Sequence, residues 1–346
     1  MASPNENRPF PFKLLPPSDD VQQRVARNFV GLPNGLVSCN HWGYKSAASA
    51  TDRELEELYN HPLDARDTWV VTPPKCGTNW TLEMVWLIAN DLDYERAKAP
   101  LKPDRWSFID FHLLSDKAVR AKLMPARPGG GGPSGSRPPA DGVQVRPSPA
   151  FVNTHLPMSL NNPRLLDVCK VVYVARNPKD ACVSFYNHCR LIKMVDFTGN
   201  LEEFMEMFMN GEIIATPIVD HIIEAWNLRH HPNMCFLFYE DMKKDLRAQI
   251  RKVATFLGKT FTDDQVDKLA EHLHIDNFKK NPYVNMEGGK MAGFMYQDRG
   301  NFIRKGKTGD WKNHFSPEMT ARFDAWLEHK LRGTDLTFVQ ELEHQD

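Results

Sequence analysis

The chain has 346 residues, of which 41% are hydrophobic and 25% are charged, and its formal net charge at pH 7 is -1. This composition is ordinary for a globular protein, and the balanced charge excludes the broad basic surface with which proteins bind nucleic acids. A site for an anionic ligand must therefore consist of a few cationic residues grouped in one place.

The cysteines and histidines lack the spacing of a metal site. The six cysteines are scattered without a CxxC pair, which favours reduced thiols in a cytosolic protein. We interpret His272 and His274 as surface residues, because no paired cysteines or HExxH pattern accompany them. No stretch of about 18 apolar residues occurs, and the N-terminus lacks the pattern of a signal peptide. The sequence therefore predicts a cytosolic chain that binds neither a metal nor a membrane.

Short β-branched runs alternate with amphipathic segments, a pattern that predicts an α/β fold with a parallel sheet between helices. The predicted strands cover 68–72, 170–175 and 234–239. The predicted helices cover 79–90, 179–192, 201–210, 217–230, 241–257, 263–273 and 317–331. Asp241 is expected to begin one of these helices, and Ser316 is expected to cap the last, with Pro317 in its first position.

One segment interrupts this alternation. Residues 125–149 are rich in Gly, Pro and Ser and cannot bury enough apolar surface to fold. We interpret the segment as a flexible insertion within one domain rather than a linker, because residues typical of a catalytic site begin at Phe151. The predicted organisation is an N-terminal extension over 1–40, one domain over 41–335 and a C-terminal tail over 336–346.

The first candidate site follows the first predicted strand. The stretch TPPKCGTNW, residues 72–80, continues that strand into a tight turn that contains Lys75 and Gly77. A helix is expected to begin at Thr78 or Asn79, and the free N–H groups and dipole of such a helix start favour a bound anion. The turn is not a Walker A loop, because its lysine precedes its only glycine. A surface turn without a ligand is the alternative interpretation.

Two later stretches repeat this arrangement. In YVARNPKDACVSFYNH, residues 173–188, Arg176 follows a strand and Ser184 lies on the next helix. An arginine fork and a serine hydroxyl suit a phosphate, and an ion pair between Arg176 and Asp180 is the alternative. In NFIRKGKTGDWKNHF, residues 301–315, cations alternate with glycines and aromatics, which favours a loop over an anionic aromatic ligand rather than a solvated charged face.

Together with THLP at 154–157, these stretches resemble the signature motifs of the cytosolic sulfotransferases, in the expected order over roughly residues 40–332. The resemblance is to an insect-like member. It implies a P-loop nucleoside-kinase-like sulfotransferase fold, a single α/β domain with a central parallel sheet flanked by helices. It also implies transfer of a sulfuryl group from 3'-phosphoadenosine 5'-phosphosulfate (PAPS) to a hydroxyl or amine of a small apolar acceptor such as a phenol, steroid or alcohol.

The resemblance further assigns roles to individual residues. At the 5'-phosphosulfate it implies the loop residues Lys75, Cys76, Gly77, Thr78, Asn79 and Trp80, the last stacking on the adenine with Tyr239. At the 3'-phosphate it implies Arg176, Ser184, Arg304, Lys305 and Gly306. It implies that His155 is the general base and that Lys75 stabilises the leaving oxygen, with no metal. Taken alone, a histidine before Leu156 and Pro157 is more often a structural residue than a catalytic one.

Several positions depart from the family pattern. Asn153 stands where the family usually has a lysine, two residues before His155, and supplies no charge to the transferring group. Leu273 and Ile275 stand where many relatives carry a threonine and a phenylalanine at the nucleotide. At the family's dimer motif the chain has Lys312, Ser316, Pro317 and Ala321. A homodimer stays open, although the proline removes a backbone donor from that motif.

The acceptor side of the site is less defined by the sequence. Trp106, Phe108 and Phe111 are predicted to form an acceptor wall, with packing in the core as the alternative. Segments 191–199 and 283–300 have loop-like sequences and are predicted to act as lids.

Two other classes of function stay open. A P-loop kinase is disfavoured by the missing Walker A lysine. A protein that binds PAPS or its product with little or no transfer is kept open by Asn153. A variant of the favoured class sulfates an allylic alcohol and releases a dehydrated product.

Overall fold

Two sheets organise the part of the chain that a computed structural model describes, residues 8–124 and 147–342. The strands are β1 (Leu14–Leu15), β2 (Leu36–Cys39), β3 (Lys45–Ala47), β4 (Thr68–Val71), β5 (Ser107–Phe108), β6 (Phe151–Thr154), β7 (Lys170–Ala175) and β8 (Met234–Phe238). The larger sheet has the order β5-β6-β4-β7-β8, and every neighbouring pair in it is parallel. The smaller sheet, β1-β2-β3, is antiparallel.

Helices connect and flank the larger sheet. They are α1 (Asp19–Asn28), α2 (Asp52–Tyr59), α3 (Thr78–Ala89), α4 (Lys117–Leu123), α5 (Leu165–Val168), α6 (Pro178–Leu191), α7 (Leu201–Met209), α8 (Ile218–Asn227), α9 (Tyr239–Lys244), α10 (Leu246–Leu257), α11 (Asp263–Leu273), α12 (Ile275–Lys280), α13 (Gly288–Met291) and α14 (Pro317–Lys330). The expected single α/β domain with a central parallel sheet is thereby confirmed.

The two faces of the sheet bury separate hydrophobic clusters. Because side chains alternate across a strand, Trp69 and Val71 of β4 enter one cluster while Val70 enters the other. All four residues of β4 are buried, as expected for the central strand of a sheet that is covered on both sides. The continuous apolar run of β4 is therefore explained by its central position.

The chain order of the predicted elements is largely confirmed, with three differences. The predicted helix 241–257 is interrupted, because Asp245 has extended backbone (φ -147°, ψ 84°) and its side chain accepts the N–H of Ala248, so it caps α10. The helix before it, α9, begins at Tyr239 rather than Asp241. The sequence pattern also missed strands β1, β2, β3, β5 and β6, which have two to four residues each. Ser316 caps α14 as expected, with Pro317 in the first turn.

The predicted ends of the domain carry structure of their own. Strand β2 lies before residue 40 and pairs with β3, which lies after it. Near the other end, Leu336 and Phe338 are buried against the larger hydrophobic cluster. The predicted boundaries at 40 and 335 stay predictions, and residues 125–146 of the predicted insertion lie outside the described residues.

All six cysteines are free and buried. Within residues 8–124 and 147–342, no helix combines the length and the apolar character needed to cross a membrane.

A buried cluster of charged side chains joins α3 to the segment before β5. Glu83 of α3 is fully buried, and its carboxylate lies 2.6 Å from the Arg105 guanidinium and 2.8 Å from Nε2 of His272. His272 is therefore a partly exposed residue that contacts a buried carboxylate, rather than a fully solvated one. Breaking a buried ion pair from one side leaves the other charge without compensation, which costs much more than losing an exposed pair.

We expect Glu83→Gln to lower the free energy of unfolding by about 3 kcal/mol, because Arg105 stays charged and buried without its counterion. Urea unfolding of both proteins measures this loss. The matched control is Glu57→Gln, which removes one partner of the exposed Arg53–Glu57 pair and should leave stability nearly unchanged. Equal effects of the two substitutions would contradict a structural role for the buried pair.

Candidate active site

The carboxyl ends of four neighbouring parallel strands bring the candidate residues together. Strand β4 leads into the turn that contains Lys75, β6 leads to His155, β7 to Arg176 and β8 to Tyr239. In parallel α/β sheets this edge is where ligands bind, because strand ends and helix starts meet there. The distant sequence motifs are therefore adjacent in space.

A cavity of about 430 Å³ opens at this edge. Of the residues that the sequence assigned to the nucleotide, catalysis or the acceptor, those that line the cavity are Lys75, Gly77, Thr78, Asn79, Trp80, Phe108, Phe111, His155, Arg176, Ser184, Tyr239, Arg304, Lys305 and Gly306. The structure thus brings nearly the whole predicted set around one volume.

Two predicted site residues do not belong to the lining of this cavity. Trp106 is fully buried and its ring packs 5.2 Å from that of Phe151, so the structure favours the alternative interpretation of Trp106 as a core residue. Cys76 is also fully buried, and burial raises the pKa of its thiol to about 12. Only the backbone of Cys76 remains as a group that a ligand could contact.

The turn before α3 has an unusual backbone. Both Lys75 (φ 68°) and Gly77 (φ 104°) adopt left-handed conformations, and Gly77 caps the helix that begins at Thr78. A Cβ atom at Gly77 would lie 2.8 Å from the ring of Tyr239, so glycine is required by conformation and by space. The buried hydroxyl of Thr78 has no hydrogen-bond partner among the described residues. The turn therefore places a hydroxyl group without a hydrogen-bond partner close to the ring of Tyr239.

Arg176 connects this turn to the late basic loop. Its guanidinium donates to the carbonyl of Lys75 (3.2 Å) and to that of Lys307 (3.1 Å), and it stacks 4.2 Å from the ring centroid of Tyr239. Its buried Nε has no partner within the described residues. The carboxylate of Asp180 instead accepts the backbone N–H groups of Gly309 (2.7 Å) and Trp311 (3.1 Å), which fixes the late loop.

The cations of the late loop are held by one carboxylate. Asp310 lies 2.6 Å from Arg304 and 2.8 Å from Lys305. Although burial alone would raise the pKa of Asp310, hydrogen bonds from Lys305 and Arg304 lower it well below its usual range. Gly306 between them has φ 71°, and a Cβ there would lie 2.6 Å from the side chain of Ile275. Ile275 therefore fills the space beside the loop.

Two aromatic rings stand near the turn. Trp80 and Tyr239 lie 5.5 Å apart in an edge-to-face arrangement. The indole N–H of Trp80 donates to the backbone carbonyl of Leu273 (2.9 Å), a contact that does not depend on the side chain at position 273. The departure from the family pattern at Leu273 therefore leaves the orientation of Trp80 intact.

His155 is fixed by four hydrogen bonds. Its Nδ1 lies 2.5 Å from the carbonyl oxygen of Thr72, which can only accept, so Nδ1 carries the proton and Nε2 carries the lone pair. Its backbone N–H donates to Asp110 (3.0 Å), and its carbonyl accepts from Tyr44 (3.0 Å) and His221 (3.2 Å). The ring is therefore held in the tautomer that a general base requires.

Burial sets the protonation of the cavity groups. Burial, with a smaller contribution from the charge of Lys102, lowers the pKa of His155 to about 3. Burial, reinforced by the charge of Arg176, lowers the pKa of Lys75 to about 8. The imidazole is accordingly neutral at physiological pH, and the lysine is cationic.

Lys102 also lines the cavity, and the sequence pattern missed it. Lys102 lies in the irregular segment Leu101–Arg105. Its own backbone is extended (φ -131°, ψ 136°) and interrupts the helical hydrogen bonding of that segment. Its Nζ lies 4.4 Å from the ring centroid of Phe108. A lone lysine before a proline carries no motif, so the structure was needed to reveal its position.

The apolar end of the cavity is bordered by the two segments predicted to act as lids. Ile192 and Met295 both line the cavity and form an antiparallel bridge. The N–H of Lys193 donates to the carbonyl of Phe294 (3.0 Å), and Tyr296 donates its hydroxyl to Asp196 (2.8 Å). The two segments therefore hold each other at this wall.

Comparison with known proteins extends the motif resemblance to most of the chain. A family model described as a sulfotransferase domain matches residues 65–335. Sulfotransferase 1C2 of Homo sapiens is 34% identical over 294 residues, 85% of this chain and 92% of the relative. The luciferin sulfotransferase of Photinus pyralis is 32% identical over 297 residues, 83% of this chain and 76% of the relative.

Solved structures agree with these relatives. The crystal structure of retinol dehydratase in complex with androsterone and the inactive cofactor PAP is 35% identical in sequence, covers 96% of this chain and 99% of its own, and has a TM-score of 0.85. Mouse sulfotransferase SULT7A1 complexed with PAP is 25% identical over 85% of this chain and 95% of its own, with a TM-score of 0.62. The chain belongs to the sulfotransferase family of PAPS-dependent enzymes, in the cytosolic sulfotransferase group whose motifs its sequence carries.

Proposed function

We propose that this sulfotransferase transfers the sulfuryl group of PAPS to a hydroxyl, or an amine, of a small apolar acceptor, with His155 as general base and Lys75 stabilising the leaving oxygen. The observation that carries the proposal is the hydrogen bond from His155 Nδ1 to the carbonyl of Thr72. It leaves the basic Nε2 of a cavity-lining imidazole beside the turn that bears Lys75.

The residues at the strand ends suit PAPS. The chemistry of the donors fits an anion, because cavity-lining cations surround the turn and the buried Nε of Arg176 and hydroxyl of Thr78 lack partners among the described residues. In the proposal the 5'-phosphosulfate is held by Lys75, Thr78, Asn79 and the backbone of Cys76 and Gly77, the adenine by Trp80 and Tyr239, and the 3'-phosphate by Arg176, Ser184, Arg304, Lys305 and Gly306. No role is proposed for a metal.

In the proposed reaction His155 accepts the proton of the acceptor hydroxyl at Nε2 while the acceptor oxygen forms a bond to sulfur. The bond from sulfur to the bridging oxygen of PAPS breaks, and PAP, which is adenosine 3',5'-bisphosphate, leaves with the electron pair. Lys75 stabilises the negative charge that develops on this oxygen, and fixed charges that face developing charge are a major source of catalysis. PAPS supplies the sulfuryl group and the chain's own residues supply the base and the cation.

The low pKa of His155 is compatible with this role. The base must be neutral before it accepts a proton, and a pKa of about 3 keeps it neutral throughout the physiological range. Negative charge on a bound donor favours the protonated imidazole and so raises this pKa towards the range in which proton transfer is efficient. Base strength is therefore expected to increase when the donor binds.

The acceptor class follows from the other end of the cavity. Phe108, Phe111, Leu114, Phe185, Ile192, Phe294 and Met295 line it. Such a wall recognises an apolar body by contact area and leaves the hydroxyl to the polar residues. The structural neighbours named retinol dehydratase were solved with androsterone and with retinol, which supports a sterol-like or isoprenoid-like alcohol here. With an allylic alcohol, the sulfate can leave and the final product is then dehydrated.

The alternative is a protein that binds PAPS or PAP and transfers little, and Asn153 is the residue that supports it. Action in the cytosol stays a prediction from the sequence, and assembly as a homodimer stays open.

We expect His155→Ala to lower the rate of sulfation by about 10²- to 10⁴-fold, because the acceptor then loses its proton without a positioned base. Mass spectrometry of reactions with PAPS and a panel of phenols, sterols and retinoid alcohols detects both sulfated and dehydrated products. The matched control is His230→Ala, an exposed histidine on the surface, which should leave the rate unchanged. PAP binding without product from the unsubstituted protein would favour the alternative, and absence of PAP binding would contradict both.

We expect Gly77→Ala to weaken PAP binding by at least about tenfold, because the new Cβ displaces Tyr239 and strains the turn. Isothermal titration calorimetry with PAP measures the effect. Gly258→Ala is the control for strain alone, since Gly258 also has a left-handed backbone (φ 75°) and no atom within 4 Å of an added Cβ. Equal PAP affinity in both variants would show that the turn before α3 does not hold the nucleotide.

A further inference from the structure

We propose that Lys102 provides the positive charge on the transferring sulfuryl group that this chain cannot provide from position 153. The inference rests on the proposed function, and it assigns to the site a cation from a segment outside all of the motifs that resemble the family. Lys102 would contact the sulfuryl oxygens and is in that sense a catalytic residue.

Position 153 is unable to act on the cavity. Asn153 is fully buried in β6, where it pairs with Val70 on one side and Phe108 on the other. Neither atom of its side-chain amide has a hydrogen-bond partner among the described residues, and Asn153 does not belong to the lining of the cavity. A neutral amide in this place leaves the His155 side of the site without a cation from β6.

Lys102 reaches that side from the segment that precedes β5. Its Nζ lies 4.4 Å from the ring centroid of Phe108, and the Phe108 ring lies 5.0 Å from that of His155. Phe108 belongs to β5 and is the register partner of Asn153. The ammonium and the proposed base therefore both lie within about 5 Å of the same aromatic ring.

The segment that carries Lys102 is fixed at both ends. The N–H of Leu101 donates to the carbonyl of Tyr283 (2.9 Å), and the N–H of Trp106 donates to the carbonyl of Leu101 (3.0 Å). Arg105, three residues after Lys102, is buried in the ion pair with Glu83. A side chain on so constrained a backbone has a defined reach, as a catalytic group requires.

The charges around Lys102 point to an anionic ligand. The titratable groups that face it are Asp110, Lys75, His155 and His188. Neither Lys75 nor Lys102 forms an ion pair with a carboxylate within the described residues, although both line one cavity. Burial lowers the pKa of Lys102 to about 7, with Asp110 opposing and Lys75 adding to the effect. An anion between the two lysines would relieve their mutual repulsion.

The proposed role adds no reactant to the transfer. The proton of the acceptor goes to His155 and PAP leaves with the electron pair. Lys102 keeps its own proton throughout and donates hydrogen bonds to the sulfuryl oxygens, which pass between the bridging oxygen and the acceptor. In this proposal Lys75 stabilises the oxygen that leaves, and Lys102 stabilises the sulfuryl group that is transferred.

The first test compares Lys102→Met with Lys98→Met. Methionine keeps the length of the side chain and removes the charge, whereas Lys98 is an exposed residue paired with Glu95 outside the cavity. We expect Lys102→Met to lower kcat by about 10²- to 10³-fold and to leave PAP affinity within about threefold, because PAP lacks the sulfuryl group. Lys98→Met should change neither quantity. An unchanged kcat in Lys102→Met overturns the inference.

The second test uses pH. Lys102 must be cationic, and a lowered pKa means that this charge is lost as pH rises through about 7, so kcat/KM should fall on the alkaline side. Lys102→Arg keeps its charge in this range and should move the alkaline limb towards the pKa of Lys75, about 8. A limb that stays in place in Lys102→Arg overturns the inference, since packing alone would not have moved it.

The ratio of PAPS to PAP affinities, measured by calorimetry, separates this inference from the proposed function. An absence of transfer in the unsubstituted protein would contradict the proposed function. If Lys102→Met has the same ratio of PAPS affinity to PAP affinity as the unsubstituted protein, the role of Lys102 is contradicted.

Discussion

The hydrogen-bonded register of three parallel strands is the constraint on which the site depends. Val71 of β4 pairs with Thr154 on one side and with Tyr173 on the other. The residue after Val71 in β4 and the residue after Thr154 in β6 are therefore neighbours, and Thr72 receives the imidazole N–H of His155 through its carbonyl. A slip of one residue in either pairing would turn these groups to opposite faces of the sheet. The position of the proposed base is therefore determined by the pairing of the strands rather than by the conformation of a loop.

Burial gives the groups of the cavity their chemical character. The same withdrawal from water lowers the pKa of His155 and of Lys75 and raises that of the Cys76 thiol. A neutral imidazole, a lysine whose charge is only weakly hydrated and a protonated thiol all result from one physical cause. Strong electrostatic contact with a charged reactant is expected in such a place, because water does not compete with the protein's fixed donors.

The sequence predicted those parts of the fold and site that depend on neighbouring residues. Ser316 before Pro317 predicted a helix start, and the residues around Gly77 predicted a tight turn before the helix that begins at Thr78, since both signals are local. Lys102 was not predicted, because its position near His155 depends on how β5 pairs with β6, and both strands are too short and polar to show a strand pattern. Trp106 could not be separated from its neighbour Phe108 by sequence, since the side of the chain that faces the cavity is decided by packing. The break at Asp245 was missed because an aspartate that begins a second helix resembles one on the surface of a continuous helix.

The bridge between Ile192 and Met295 joins two segments that form one wall of the cavity outside the central sheet. These residues line the cavity and belong to segments joined by a few backbone hydrogen bonds, such as that between Lys193 and Phe294. An acceptor wider than the cavity would have to separate these segments, and the free energy spent on the broken hydrogen bonds would be subtracted from its affinity. We therefore expect discrimination among acceptors to be graded with molecular width at this wall and sharper at the walls built from the central strands. The proposed reacting groups would keep their positions, because they lie at the ends of the central strands.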